Sequence, residues 1–210
     1  MSAILVYPTY FPSISYYVAL VQSNQVTFEV DDHFQKQTHR NRTFIYSPNG
    51  KQLLYVPIQH LKRGTHQKTK DVKIDYSENW QKQHFKSLEA AYRSSPFFEY
   101  FEDEFIPIFK KKHPFLLDLN FELFEIINSC LGITIPYKKT TEYFHKVEGV
   151  VDVRPLVNGK KDFFKNEPYT QVFEDRFGFL ENLSIFDLLC SEGRYALEYL
   201  KNQPFPETIS

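Results

Sequence analysis

The first thirty residues constrain the fold most, because two apolar segments flank a helical pattern there. Ala3–Tyr7 is a short apolar run that ends at a proline, which is typical of a buried strand. A serine N-cap at Ser13 or Ser15 begins a helix that runs to about Ser23. Val26–Val30 is β-branched and aromatic, as strands usually are. Strand, helix and strand in this order predict a parallel pair with a right-handed crossover.

A β-hairpin is predicted next. Arg42–Ser47 and Gln52–Ile58 are strand-like segments, and the sequence Pro-Asn-Gly at positions 48–50 between them is a strong turn signal. Val72–Asp75 has the composition of one further short strand. The first 76 residues therefore favour a small sheet.

The chain then becomes mainly helical. Three helices are predicted here. The first begins at Ser77 or Asn79 and runs to about Ser94, and the second begins at Pro96 and runs to about Lys112. The third follows an apolar stripe from Leu116 to Cys130, and Gly132 ends it. Ser184 and Asp187 have the spacing of a capping box at the start of a last helix. Residues 136–170 show one strand-like run, at Gly149–Val153.

Together these elements predict a single α/β domain over residues 1–210. Residues 1–76 form a small mixed sheet with a parallel start plus a β-hairpin, and residues 77–210 form a mainly helical part. A chain of 210 residues buries roughly 70% of its unfolded surface, so it needs no disulfide or metal to hold its core.

Composition excludes several classes of partner. The formal net charge is −1, whereas proteins that bind nucleic acid usually carry a strong basic excess. No segment has the ~20 apolar residues of a membrane span, so we expect no membrane insertion. Cys130 and Cys190 lie in apolar helical patterns and are expected to be buried and reduced. These features predict a cytoplasmic location.

The aromatic loop after the first strand is the first candidate binding feature. It lies in the stretch VYPTYFPSISYY, residues 6–17, where two prolines fix the backbone around Tyr7, Tyr10 and Phe11. Ligands of open α/β sheets bind beyond the carboxyl ends of the strands, so these rings are candidates for a stacking wall. The amides at Ser13–Ser15 are candidates for holding a phosphate. The alternative is a hydrophobic staple that fixes the entry angle of the helix.

A charged segment follows the second strand. Asp31 and Asp32 are candidate general bases, and Arg40, Asn41 and Arg42 are candidates for binding a phosphate or carboxylate. The alternative is a structural network of ion pairs.

The basic loop at residues 59–70 contains Lys62 and Lys68, which are candidates for a lid over a phosphate. The alternative is a solvated hairpin edge. The seven histidines show no spacing that is diagnostic of a metal site, and no nucleotide-binding glycine motif indicates a cofactor.

Several separated motifs resemble the WbqC-like family. They are PTYFPSISYY at 8–17, the acidic pair at 31–32, RNR at 40–42, VPI at 56–58, Trp80, Tyr92, SPFF at 95–98 and NLSIFDLLCSEG at 182–193. The resemblance implies a place in surface-polysaccharide or O-antigen gene clusters and a glycine transfer to an amino sugar. It supplies no catalytic residues, and residues 140–170 are shorter than in the longer relatives.

The leading expectation is therefore a transferase that moves an aminoacyl or acyl group onto a nucleotide-linked sugar. The main alternative is a non-catalytic module that binds a nucleotide-sugar or a partner enzyme. Nucleotidyl transfer ranks lower, because the first loop lacks a histidine pair.

Overall fold

The computed structural model describes residues 2–59, 67–159 and 164–206. In chain order its strands and α-helices are β1 (Ala3–Val6), α1 (Ile14–Val21), β2 (Gln25–Phe28), β3 (Arg42–Ser47), β4 (Gly50–Tyr55), α2 (Trp80–Tyr92), α3 (Phe98–Lys110), α4 (Leu116–Cys130), β5 (Tyr137–Lys139), β6 (Val151–Asp152), α5 (Glu174–Phe177), α6 (Ile185–Glu192) and α7 (Ala196–Asn202).

The main sheet has four parallel strands in the order β5-β2-β1-β6. The predicted parallel pairing of the first two strands is confirmed, with Val6 opposite Phe28 at their carboxyl ends. β6 forms within the predicted strand at residues 149–153 and pairs with β1. β5 was not predicted, and it pairs with β2 at the other edge. All four strands therefore end at the same side of the sheet.

The predicted hairpin is present as β3 and β4, which pair antiparallel with Ser47 opposite Gly50. Gly50 has a φ of 92°, a conformation that glycine adopts without strain. The second strand begins at the turn glycine and ends at Tyr55, earlier than the prediction of Ile58. The predicted strand at 72–75 forms only isolated bridges, Ile58 with Ile74 and Lys73 with Phe115.

Aromatic rings fill the core between the sheet and the helices. Phe186 of α6 lies 4.9 Å from Phe105, 5.4 Å from Tyr92 and 5.6 Å from Phe11 between ring centroids. Edge-to-face pairs of this kind add to the free energy gained by burying the rings. This aromatic cluster joins the loop after β1 to helices α2, α3 and α6, and so makes one domain of the sheet and the helical part.

The capping box at the last predicted helix is half correct. Ser184 caps α6, since its hydroxyl accepts from the amide of Phe186. The carboxylate of Asp187 does not complete the box, because it is buried and accepts hydrogen bonds from the hydroxyls of Tyr92 and Tyr169. The Asp187 carboxylate thus bonds to side chains distant in sequence and not to the backbone amide at the start of its own helix.

Both cysteines are free thiols, with Cys190 buried and Cys130 partly buried. Burial raises the pKa of Cys130 to about 12, so this thiol is unreactive at neutral pH. Among the helices of the described residues, none has the length and apolar character that crossing a membrane requires.

Candidate functional site

Charged and polar side chains gather at the carboxyl ends of the four parallel strands. We call this group the carboxyl-end cluster; it consists of Tyr7, Glu29, Asp31, Asp32, Arg40, Lys68, Lys70, Thr140, Asp152 and Arg154. Residues that follow β1, β2, β5 and β6 all contribute to it. Open α/β sheets bind their ligands at this edge, which makes the cluster the candidate site.

A buried ion pair between Asp32 and Arg40 lies at the centre of the cluster. Arg40 Nη2 is 2.6 Å from Asp32 Oδ2, and the two side chains are 0% and 3% exposed. The guanidinium carbon of Arg40 lies 3.8 Å from the ring centroid of Tyr7. Within the described residues, Asp32 Oδ1 and Arg40 Nε are buried without a hydrogen-bond partner. Since buried polar atoms are nearly always paired, these two atoms mark a place for a further polar group.

Asn120 of α4 holds this centre in place, and the sequence analysis did not identify it. Its side-chain nitrogen donates to the backbone carbonyls of Arg40, at 2.9 Å, and Pro8, at 3.4 Å. Asn120 lies four residues after Leu116 and three before Leu123, on the apolar stripe of α4. The sequence signal that could have revealed Asn120 is a polar residue within an apolar stripe, because a buried amide needs hydrogen-bond partners.

Asp31 lies at the outer side of the cluster. Lys68 Nζ is 2.6 Å from its carboxylate, and Lys70 also forms an ion pair with it. Hydrogen bonds from Lys68 and then Lys70 lower the pKa of Asp31. Both oxygens of Asp31 are paired with lysines, whereas Asp32 Oδ1 has no hydrogen-bond partner among the described residues, so of the two predicted bases Asp32 is the better candidate. Lys68 is thus part of the cluster, and its binding of a phosphate stays a prediction, whereas Lys62 falls outside the described residues.

Glu29 and Arg154 complete the cluster, and neither was singled out from the sequence. Glu29 is fully buried and accepts from the amide of Asp31 and from the Thr140 hydroxyl. Arg154 binds the Asp152 carboxylate through two nitrogens, Nε at 2.9 Å and Nη2 at 2.6 Å. Its guanidinium carbon lies 5.8 Å from the ring of Tyr7. Two arginines thus lie close to one tyrosine ring.

Tyr7 is the aromatic residue of the cluster and is 8% exposed. Burial is the main cause that raises the pKa of its hydroxyl, and the nearby Asp32 carboxylate adds to it. The phenol therefore stays protonated at neutral pH. It is suited to donate a hydrogen bond, not to accept a proton as a base.

Residues 7–162 match the model of the WbqC-like protein family. The chain belongs to this family. Uncharacterized protein Rv1507c of Mycobacterium tuberculosis (strain ATCC 25618 / H37Rv) is 30% identical over 140 residues, which is 66% of this chain and 60% of that protein. The chain thus covers less than two thirds of this relative's length. No solved structure matches this chain. Every residue of the carboxyl-end cluster lies within the range that matches the WbqC-like model.

Two of the aromatic residues in the WbqC-like opening motif lie in the core. Tyr10 and Phe11 are 0% and 1% exposed, so neither ring presents a face to a ligand in this structure. The Tyr10 hydroxyl is 2.8 Å from His84 Nδ1, and the Phe11 ring packs against Phe105 and Phe186. This is the arrangement of a staple, the alternative considered for this loop. Of the three rings predicted to form a stacking wall, Tyr7 is the one that lies beside charged residues of the cluster.

The proposed phosphate position at the start of α1 is already occupied by the protein itself. The amide of Ile14 donates to the Leu183 carbonyl, and the amide of Ser15 donates to the side chain of Asn182. The hydroxyls of Ser13 and Ser15 bond to each other. These bonds attach the closing motif of the chain to α1 and leave neither amide available to an anion.

Among the contacts of the described residues, Asn41 and Arg42 are not joined to the charged side chains of the carboxyl-end cluster. Asn41 donates to the carbonyl of Val56 and so joins the segment before β3 to the end of β4. Arg42 lines a pocket of about 110 Å³ together with His39, Phe44 and Gly159. His39, Phe44 and Gly159 also line a cleft of about 430 Å³. Arg40 and Arg42 therefore have different surroundings: Arg40 is paired with Asp32, whereas Arg42 lines this pocket.

Within residues 2–59, 67–159 and 164–206, no group of three or more histidine, cysteine, aspartate or glutamate side chains is arranged to hold a metal ion.

Proposed function

We propose that this WbqC-like protein is a transferase that moves an aminoacyl group such as glycyl, or another acyl group, onto a nucleotide-linked amino sugar in surface-polysaccharide biosynthesis. The observation that carries the proposal is the pair of unpartnered buried atoms, Asp32 Oδ1 and Arg40 Nε, at the carboxyl ends of the strands. One is an acceptor and the other a donor, on two side chains that are paired with each other, which suits a substrate with hydroxyl or amino groups. The association of the family with polysaccharide gene clusters supports the choice of substrate.

Asp32 is assigned the role of general base. Its Oδ2 is held by Arg40, so the carboxylate is fixed in orientation, while Oδ1 is the oxygen that faces no protein donor among the described residues. As the new amide bond forms and the bond between the acyl carbon and the donor's leaving group breaks, a fixed carboxylate in this position would accept the proton that the attacking amine loses and pass it to the departing group. The role of Arg40 is then to hold the Asp32 carboxylate in a fixed orientation.

Lys68 and Lys70 are assigned to the nucleotide side of the substrate. They are the exposed cations of the cluster, with side chains that are 42% and 44% exposed. Exposed lysines act on phosphates as mobile point charges, and a phosphate would compete with Asp31 for them. The two free thiols and the nucleotide-linked substrate support a cytoplasmic location.

A non-catalytic binding module is the second candidate, and one observation favours it. The cluster contains four cations, Arg40, Lys68, Lys70 and Arg154, and each is paired with an Asp carboxylate. An arrangement with every charge compensated needs no reaction to explain it. This candidate predicts binding without turnover.

The test is a thermal-shift screen of UDP-, GDP-, CMP- and dTDP-linked sugars, followed by a turnover assay on the best binder with acyl and aminoacyl donors. Asp32→Asn is expected to keep binding and lose turnover, and Arg93→Met, in an exposed ion pair with Glu102, serves as the control. Binding without turnover in the unaltered protein supports the module. Absence of binding by all four classes overturns the proposal.

A further inference from the structure

The connection between β5 and β6, residues 140–150, lies against the carboxyl-end cluster, and we call it the cover segment. The amide of Phe144 points at Glu29 Oε2, at 3.5 Å. The carbonyls of Phe144 and His145 accept from Arg154, at 2.7 and 3.2 Å. The ring of Tyr143 lies 5.6 Å from the guanidinium carbon of Arg154. The segment is thus attached to the cluster by its backbone, at its middle.

Arg154 uses its two edges for different partners. One edge binds the carboxylate of Asp152, the last residue of β6, and so is anchored to the sheet. The other edge donates to the two carbonyls of the cover segment. Because Arg154 is anchored on one side and attached to a loop on the other, it acts as a latch.

Glu29 forms the second attachment, at the start of the cover segment. Its Oε1 accepts from the hydroxyl of Thr140, and its Oε2 lies 4.0 Å from Arg154 Nη1. The hydroxyl of Thr140 in turn accepts from the amide of Val30, just after β2. A buried carboxylate and a buried guanidinium therefore hold the same eleven-residue connection from two strands.

The side chains that the proposed function assigns to the substrate are closed off in this arrangement. Tyr7, Asp32 and Arg40 are all at most 8% exposed, so solvent scarcely reaches them. A ligand therefore reaches them only after some part of the surroundings moves. The sheet and α4 are held by core packing, whereas the cover segment is held by a small number of hydrogen bonds.

We propose that the cover segment is a gate on the candidate site, held shut by Arg154 and Glu29 in the ligand-free protein. Opening breaks the bonds from Arg154 to the Phe144 and His145 carbonyls and leaves the Asp152–Arg154 pair intact. The gate itself is a property of the ligand-free chain; only its purpose, admission of a substrate, rests on the proposed function.

The first test is hydrogen exchange of the ligand-free protein, read by mass spectrometry on peptides that cover residues 140–150. Arg154→Met is expected to speed exchange there by roughly tenfold or more, because local opening controls exchange in such a segment. Arg194→Met is the matched control, since Arg194 lies against an exposed ring, that of Tyr195. Peptides from α4 report global unfolding. Unchanged exchange at 140–150 in Arg154→Met overturns the proposal.

If Arg154→Met also speeds exchange in α4, two milder variants decide the question. Arg154→Lys keeps the charge but cannot reach Asp152 and both carbonyls together. Thr140→Val removes the hydroxyl that bonds Glu29. Faster exchange confined to residues 140–150 in either variant supports the gate, and exchange equal to the unaltered protein in both overturns it.

The second test measures access to the site. In a Tyr7→Cys protein, a neutral maleimide should label the introduced thiol slowly, and adding Arg154→Met should speed labelling by about tenfold, in proportion to the opening. Cys130 and Cys190 are internal references in the same sample. Equal labelling with and without Arg154→Met overturns the gate. Because neither test uses a ligand, failure of every nucleotide-sugar to bind would overturn the proposed function and leave the gate to be judged by these results.

Discussion

The Tyr10 hydroxyl donates to His84 Nδ1 across 2.8 Å, and both residues are buried. His84 also bonds the backbone of Tyr55, so the neutral ring uses one nitrogen to donate and the other to accept. The contact ties the loop after β1 to α2 and the end of the hairpin. The rigid aromatic loop thus serves to join three parts of the fold.

Replacing Tyr10 tests this structural role. We expect Tyr10→Ala to lower the free energy of unfolding by about 3–5 kcal/mol, because a large ring leaves a cavity in the core. Tyr10→Phe should cost about 1–3 kcal/mol, since it removes only the donor to His84. Urea unfolding measures both, with exposed Tyr100→Ala as control. Tyr10→Ala unfolding at the same urea concentration as the unaltered protein would contradict the role.

His84 makes stability depend on pH in a defined direction. Burial lowers the pKa of His84 from 6.5 to about 4. Below pH 6.5 the unfolded chain binds a proton that the folded protein refuses until about pH 4, so stability falls as pH falls through this window. At the low-pH end of this window, the shift corresponds to a loss of about 3 kcal/mol in the free energy of unfolding.

His84→Gln should flatten this dependence, because the amide keeps both hydrogen bonds and does not titrate. Urea unfolding of both proteins between pH 7.5 and about 4 measures the difference. A variant whose stability falls with pH as steeply as that of the unaltered protein would assign the dependence to another group.

The buried pair of Asp32 and Arg40 should show strong coupling. Arg40→Met leaves a buried carboxylate without its partner and is expected to cost about 3–5 kcal/mol of unfolding free energy. Asp32→Asn, which the functional test uses, should cost a similar amount, about 3 kcal/mol or more, so its folding must be checked before its activity is interpreted.

The double variant Asp32→Asn, Arg40→Met should lose less than the sum of the two single variants, because neither member of the pair is left as a buried charge without its partner. A thermodynamic cycle from urea unfolding gives the coupling free energy. Arg93→Met, in an exposed pair, should cost no more than about 1 kcal/mol. Additive single variants would show that the pair is not coupled.

The parts of the site that the sequence predicted are those that local patterns determine. The parallel pairing of β1 and β2 follows from a strand, a helix and a strand in order, and it places Tyr7 beside Asp32. Arg154 could not be predicted, because β6 reaches β1 across more than a hundred residues and its short strand gives little signal. Tyr10 was assigned to binding because of its polar end, but its partner His84 is distant in sequence.

Asp187 should affect stability in the direction opposite to His84. Burial raises the pKa of Asp187 from 3.8 to about 6, although Tyr92 and Tyr169 donate to its carboxylate. The folded protein therefore holds a proton there that the unfolded chain releases above pH 3.8, and this stabilisation is lost as pH rises through about 6. The shift corresponds to roughly 3 kcal/mol. Asp187→Asn removes this titration. The free energy of unfolding that the variant loses relative to the unaltered protein should therefore be larger at pH 4.5 than at pH 7.5. Urea unfolding at the two pH values measures this difference, and equal differences at both would show that Asp187 is ionised throughout.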